Sequence, residues 1–279
     1  MHGATGVNAI DAWAQPANGC LRVKMPEVAR LFEKSGSGHL LDQALTPSET
    51  VRHMDEAGVE KLMLAAWCRP EGWVTSNDQI AEYTREFPDR FIGVATVDLS
   101  KPVAAVRELE RAVVELGFKA LRIVPWLWKL APNHRLYYPL YVKCVELDIP
   151  FCTQVGHTGP LMPSETGRPV PYLDEVALDF PELRIVAGHI GHPWTDEMIG
   201  LAWKHDNVFI DTSAYLPRYY PPQLLQFLQS YGSRKVLFGS NFPQLSLTRC
   251  ISQVRELGLS AEVESQFLHE NARRVFKLV

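Results

Sequence analysis

The sequence predicts an α/β fold of the (β/α)8 TIM-barrel type, and three observations predict it. Eight short apolar, β-rich runs can be marked, at Asn8–Trp13, Lys61–Trp67, Phe91–Val97, Lys119–Val124, Pro150–Val155, Leu183–Gly188, Asn207–Thr212 and Lys235–Gly239. Helical segments lie between them, and after the first gap successive runs begin about 24–33 residues apart, the length of one β/α unit. Polar or aromatic residues close nearly every run, as at the mouth of a barrel, where an open sheet would gather them at one switch point. A doubly wound sheet is the structural alternative, but no Gly-x-Gly-x-x-Gly follows the first run.

In chain order, the first run delivers Asp11, Trp13 and Gln15. A long excursion follows, at about residues 16–45. Its small, polar tract Ser35-Gly36-Ser37-Gly38 suggests a partly mobile flap. Thr46-Pro47-Ser48-Glu49 then sets a Thr cap, a Pro at the first helical position and a Glu three residues on, a capping box. Ser100-Lys101-Pro102 opens a helix whose apolar stripe is Val103, Val106, Leu109, Val113 and Leu116, ended by Gly117. Thr195-Asp196-Glu197 places acidic residues at a helix start, where the helix dipole favours them. Ser260 starts a terminal helix carrying Phe267, Leu268, Ala272, Val275 and Phe276 against the body. No linker interrupts the alternation, so residues 1–279 are expected to form one domain with the excursion as an insertion.

Composition narrows the partners. At 46% hydrophobic and 22% charged residues the chain has ample material for a core. A net charge of -4 leaves no basic footprint for nucleic acid, and no Lys/Arg run or long apolar stretch suggests a membrane. The start of the chain shows no export signal, and the five cysteines are odd in number, scattered and without a C-x-x-C. Reduced thiols in a cytoplasmic protein with a small-molecule substrate fit this best.

The strand ends carry the candidate chemistry. His157 and His189 each follow an apolar run beside a glycine, and imidazole can bind a metal or move protons near neutral pH. His192, beside Pro193, either joins them or braces the loop. Asn241 can position a water or a carbonyl but holds no proton or cation strongly. Trp13 suits a pocket floor, and Gln15 can orient a ligand. Arg69 and Arg122 are the nearby cations, with guanidinium geometry matched to a carboxylate. Arg122 faces either the barrel interior or the helices, depending on pleat phase. Trp126 and Tyr215 stand among aromatics able to wall a planar substrate. Asp211, Ser213, Ser240 and Gln154 also stand at strand ends, without an assigned role.

Ile10-Asp11-Ala12, Phe87-Pro-Asp-Arg-Phe-Ile-Gly-Val94, Gly188-His-Ile-Gly-His-Pro-Trp194, Asn207-Val-Phe-Ile-Asp-Thr212, Lys235-Val-Leu-Phe-Gly-Ser240 and Asn271-Ala-Arg-Arg-Val-Phe276 carry a resemblance over nearly the whole chain. They are similar to the amidohydrolase-related family of the aminocarboxymuconate-semialdehyde decarboxylase type. The resemblance implies a barrel, a tendency to homodimers, and a divalent metal on a His-x-His after strand one, a His after strand five and an Asp after strand eight. By position, His157 matches the strand-five ligand and His189 the family's catalytic His after strand six. Trp13-Ala14-Gln15 stands in place of His-x-His, and Asn241 in place of the Asp.

Zinc at a catalytic site takes three His or carboxylate ligands plus water, and this chain has lost most of them. The expectation is therefore a site with no cofactor and no metal. The corresponding activity is a metal-independent hydrolase of a small carboxylated cyclic or aromatic ester, lactone or amide. His189 would be its general base, with His157 and Asn241 on the oxyanion and Arg69 or Arg122 on the carboxylate. A non-oxidative decarboxylase or other C–C lyase, and a non-catalytic ligand-binding descendant, are the alternatives.

Overall fold

The computed structural model describes residues 8–278. Eight parallel strands run β1 (Ala9–Ala14), β2 (Val59–Ala65), β3 (Phe91–Ala95), β4 (Ala120–Ile123), β5 (Phe151–Gln154), β6 (Ile185–Gly188), β7 (Val208–Asp211) and β8 (Val236–Leu237), each bonded to the next in chain order. Backbone bonds from β8 and the loop beyond it close the ring. Ala12 N–H donates to Phe238 O at 2.9 Å, Asn241 N–H to Trp13 O at 2.8 Å and Gln15 N–H to Phe242 O at 2.9 Å. Closure removes the edges that an open sheet would leave.

The pleat sorts side chains into two cores. Ile10, Ala12, Met63, Val94, Ala120, Cys152, Val186, Phe209 and Leu237 fill the barrel. A larger cluster lies between the strands and the helices. The inner cluster also takes Ala272, Val275 and Phe276 of the terminal helix, which therefore packs against the barrel as expected. That helix starts on Ser260, whose side chain accepts from Val263 N–H, but a π turn at Gln266–Glu270 interrupts it. Within this wider turn the adjacent Phe267 and Leu268 are both buried.

Other elements depart from expectation in detail. Trp67 leaves β2 to start a two-stranded hairpin, Trp67–Arg69 and Gly72–Thr75, turned at Gly72 with φ 127°. The helix Pro102–Val114 buries Ala105, Leu109 and Ala112, while Val103 is exposed. Two residues are 200° around a helix, so Val103 lies opposite Ala105. The excursion after β1 holds two short helices, α1 (Leu21–Lys24) and α2 (Ala29–Ser35), before the helix α3 (Pro47–Ala57) with the expected Thr46–Glu49 capping box. Its Ser-Gly tract is anchored: Ser37 is buried and donates from Oγ to Gln244 O at 2.7 Å. Among the described residues no helix is long and apolar enough to cross a membrane.

Candidate active site

The C-terminal ends of the strands meet at a cavity of about 260 Å³. Trp13, Gln15, Trp67, Trp126, Gln154, His157, His189, Tyr215 and Asn241 line it from the barrel side. Leu21, Val28, Leu31 and Phe32 close it from the excursion, a contribution hidden in the sequence because no strand-end rule applies to a flap. Among the described residues no Asp, Glu, Lys or Arg lines this cavity.

Trp13 owes its place to a local irregularity. β1 shifts register against β2 between Asp11 and Ala14, and Ala12 and Trp13 both join the inner cluster. The Arg122 guanidinium stacks on the Trp13 ring, 3.9 Å from its centroid, and donates to Ala14 O at 3.1 Å and Ala12 O at 3.3 Å. Arg122 thus faces the barrel interior, fully buried beneath Trp13, and is not among the cavity's lining residues. Burial pushes its pKa down to about 10. A Cβ on Gly188 would come within 2.6 Å of the Trp13 ring, so only glycine fits before His189.

His189 meets Trp13 with ring centroids 5.1 Å apart. Its backbone is left-handed at φ 73°, as is that of Ile190 at φ 53°, a costly conformation for non-glycine residues that often marks functional sites. Its Nδ1 lies 2.8 Å from Ser213 Oγ, and that hydroxyl in turn bonds Asp211 Oδ1, which also accepts from Ser213 N–H at 3.0 Å. Loss of solvation, with Arg122 nearby, pulls the imidazole down to about 3, so it is neutral near pH 7. Desolvation pushes Asp211 up to about 7, against the Ser213 bonds that favour its anion. Asp11 is raised to about 6 by the same cause, opposed by its bonds from Ser240 and Trp13. Asp211 Oδ2 is buried without a partner, in a cradle that a Cβ on Gly239 would fill.

Backbone carbonyls orient two amides, Gln154 through three of them and Gln15 through Asn241 O at 3.4 Å. Gln154 Nε2 donates to the carbonyls of Val155, Gly156 and His157 at 3.0–3.3 Å, leaving its buried Oε1 without a partner. Gln15 Nε2 donates to Asn241 Oδ1 at 3.1 Å, and Asn241 Nδ2 donates to Gln244 Oε1 at 2.7 Å. Gln15 Oε1 is likewise buried and unpartnered. Asn241, itself left-handed at φ 67°, lines the cavity and holds Gln15 in place.

The remaining candidates separate. His157 is exposed at the cavity, and its Nδ1 lies 3.1 Å from His192 O. His192 is exposed and contributes that carbonyl to the loop, its ring outside the cavity lining. Arg69 is held by Glu27 and Glu71, each at 2.6 Å, tying the hairpin to the excursion and away from the cavity. Among the described residues no guanidinium lines the cavity. Ser213, Asp211 and Gln154 stood at strand ends in the sequence; the Asp-x-Ser spacing was the available signal for the first two.

A profile of the family described as Amidohydrolase matches residues 31–278. A gamma-resorcylate decarboxylase of Polaromonas sp. is 25% identical, covering 82% of this chain and 86% of its own. A 2-keto-4-carboxy-3-hexenedioate hydratase of Sphingobium sp. is 31% identical, over 59% of this chain and 56% of its own. Among solved structures, a TIM-barrel protein of Bordetella bronchiseptica, 22% identical, superposes with a TM-score of 0.84 over 98% of this chain and 99% of its own. A dihydroxybenzoic acid decarboxylase of Polaromonas sp., with bound manganese and 2-nitroresorcinol, is 20% identical with a TM-score of 0.70, covering 97% of each chain.

These findings correct two expectations. The metal-independent hydrolase is overturned, because the relatives that span most of the chain are decarboxylases of aromatic acids. The expectation of no cofactor is overturned by the manganese held in decarboxylases of this fold. The donors of this chain nonetheless do not fit such an ion. Among the described residues no three His, Cys, Asp or Glu converge as a metal site requires, and Trp13, Gln15 and Asn241 stand at three of the positions the resemblance marks as ligands.

Proposed function

The chain belongs to the amidohydrolase family, and from that premise we propose that it removes carbon dioxide, without oxidation, from a small hydroxylated aromatic carboxylic acid. The observation that carries this reading is a cavity walled by Trp13, Trp67 and Trp126, with a neutral imidazole and no charged side chain among its lining residues.

A carboxylate entering such a cavity gives up water and gains no cation. Loss of neutral CO2 relieves that cost, whereas ester or lactone hydrolysis would add an oxyanion to a site with no cation to receive it. Stacking of the substrate ring on the tryptophans supplies the binding that offsets the unsolvated carboxylate. The unpartnered Oε1 atoms of Gln15 and Gln154 favour a ligand bringing hydrogen-bond donors, which ring hydroxyls provide. A ring hydroxyl also makes the carbon bearing the carboxylate basic enough to take a proton. His189 delivers that proton as the carbon–carboxylate bond breaks. The segment at 16–45 acts as the flap that keeps water out, through Leu31 and Phe32.

The test is a panel of hydroxybenzoic acids assayed for CO2 and for the decarboxylated phenol, with His189→Asn alongside. Turnover should fall at least about 100-fold in that variant. An unsaturated keto acid belongs in the panel because of the hydratase relative. Hydration of that acid, with no CO2 from any aromatic acid, would replace this reading with a C–O lyase.

A further inference from the structure

We propose that Asp211, Ser213 and His189 form a proton relay in which Asp211 stores the proton that His189 delivers, and that the imidazole works by exchanging tautomers. This inference rests on the decarboxylase reading for its use of the proton. The relay itself stands on geometry.

The three groups form one unbranched chain from the cavity into the barrel. Asp211 Oδ1 bonds the Ser213 hydroxyl, and that oxygen lies 2.8 Å from His189 Nδ1. A serine hydroxyl between two such partners can point either way, and its direction fixes the imidazole. With Asp211 ionised, Ser213 donates to the carboxylate and accepts from Nδ1–H, leaving His189 Nε2 bare. With Asp211 protonated, the carboxyl donates to Ser213, Ser213 donates to Nδ1, and Nε2 carries the hydrogen. The loaded state is thus a neutral imidazole with Nε2–H, and the spent state is a neutral imidazole with Nδ1–H.

A buried imidazolium is disfavoured here, since loss of solvation and the Arg122 charge both oppose it. A tautomer switch avoids that species. The groups facing Asp211 hold its proton near the neutral range. Arg122 and the Ser213 bonds favour the anion, whereas burial and the Asp11 carboxyl oppose it. The Cys152 thiol and the Tyr220 hydroxyl also lie close, both uncharged near pH 7 because burial raises them. Asp211 Oδ2, buried and unpartnered, is better tolerated on a neutral carboxyl than on a carboxylate.

The step balances. The ring supplies the electron pair and Nε2 the proton of the new C–H bond, and the electron pair of the C–COO bond passes back into the ring as CO2 leaves. Nδ1 takes the Ser213 proton, and Ser213 takes the Asp211 proton. After product release Nε2 takes one proton from bulk solvent through entering water, and the chain runs in reverse to reload Asp211. One proton is consumed per turnover, as decarboxylation of a carboxylate requires.

The experiment is nitrogen NMR of the full chain carrying 15N-histidine, from pH 5 to pH 9, for wild type, Ser213→Ala and Asp211→Asn. Wild-type His189 should stay neutral throughout while shifting from the Nε2–H to the Nδ1–H tautomer as pH rises. Both variants should show one tautomer at every pH. If Ser213→Ala does not fold, Asp211→Asn carries the same comparison. An imidazolium in wild type near neutral pH, a single wild-type tautomer throughout, or a switch surviving in either variant would overturn the relay. This readout needs no substrate, so it separates the two ideas. A tautomer switch in a chain that decarboxylates nothing sustains the relay and removes the proposed function. Turnover with a fixed tautomer does the reverse.

Discussion

The guanidinium carbon of Arg122 lies 3.9 Å from the centroid of the Trp13 ring, and that ring in turn meets His189 at 5.1 Å. A buried cation therefore sets the floor of the cavity without touching what the cavity holds. Its five N–H donors find two backbone carbonyls of β1, and its planar face finds the indole. The arginine fixes the ring that lines the cavity and meets the imidazole.

Replacing Arg122 with Met keeps the length of the side chain and removes the charge. Ala12 and Ala14 lose a donor, while Asp11 and Asp211 lose the cation that favours their anions. Swapping a whole buried ion pair for apolar residues can be neutral, but removing one member strands the rest. Urea unfolding at pH 7 should show Arg122→Met less stable by about 3 kcal/mol. Unchanged stability would mean that the stack contributes little.

The buried acids make stability depend on pH in a direction opposite to most carboxyls. Asp211 is raised from 3.8 to about 7 and Asp11 to about 6. Their contribution is fully present below pH 3.8 and is lost as pH rises through about 6 and then 7, because the folded chain keeps protons that the unfolded chain releases. His189, lowered from 6.5 to about 3, acts the other way: its contribution is present above pH 6.5 and is lost as pH falls towards 3. Asp211→Asn removes only one of these parts. Relative to wild type, that variant should gain roughly 2–4 kcal/mol between pH 4 and pH 7.5, measured by denaturant unfolding at each pH. A constant difference across the range would show that Asp211 titrates normally.

Much of this was legible in the sequence. The strand-end rule found His157, His189, Gln15 and Trp126, because a barrel brings all strand ends to one mouth. Pleat phase was not legible for Arg122, since a four-residue strand gives no alternation to read and a bulge in β1 alters the neighbouring phase. Arg69 misled for another reason: Glu27 and Glu71 are distant or inconspicuous in sequence and neutralise it only in the folded chain. The loss of metal-ligand residue types was also plain, but a missing ligand set does not name a reaction. Imidazoles and arginines at strand ends suggest hydrolysis, but in the fold Arg122 lies beneath Trp13 and Arg69 is paired outside the cavity.

The flap should control access more than chemistry. Leu31 and Phe32 of α2 line the cavity, and α2 packs so close to the loop after β5 that a Cβ on Gly159 would come within 2.8 Å of a Leu31 methyl. Leu31→Ala opens that contact and lets water reach the apolar wall. KM should rise about tenfold, an apolar contribution near 1.4 kcal/mol, with kcat changed far less. Steady-state kinetics on the best acid of the panel decides this, and a fall confined to kcat would assign the flap a part in proton transfer.

The unpartnered carbonyl oxygens give the sharpest statement about substrate. Gln15 Oε1 is buried, lines the cavity through its residue and accepts nothing, while the amide is locked by Asn241 and Gln244. On the proposed function, a ring hydroxyl that reaches this oxygen would satisfy it, and an acid lacking that hydroxyl would leave it stranded. The net value of one such bond is about 1 kcal/mol, and desolvation makes the unmatched case worse. Binding of a dihydroxy acid and of the corresponding monohydroxy acid should therefore differ by about five- to thirtyfold in wild type. In Gln15→Leu the preference should shrink towards unity, because the acceptor is gone. The interaction energy from this cycle should be about 1–2 kcal/mol. Equal discrimination in both proteins would show that the hydroxyl is held elsewhere, with Gln154 the next residue to replace.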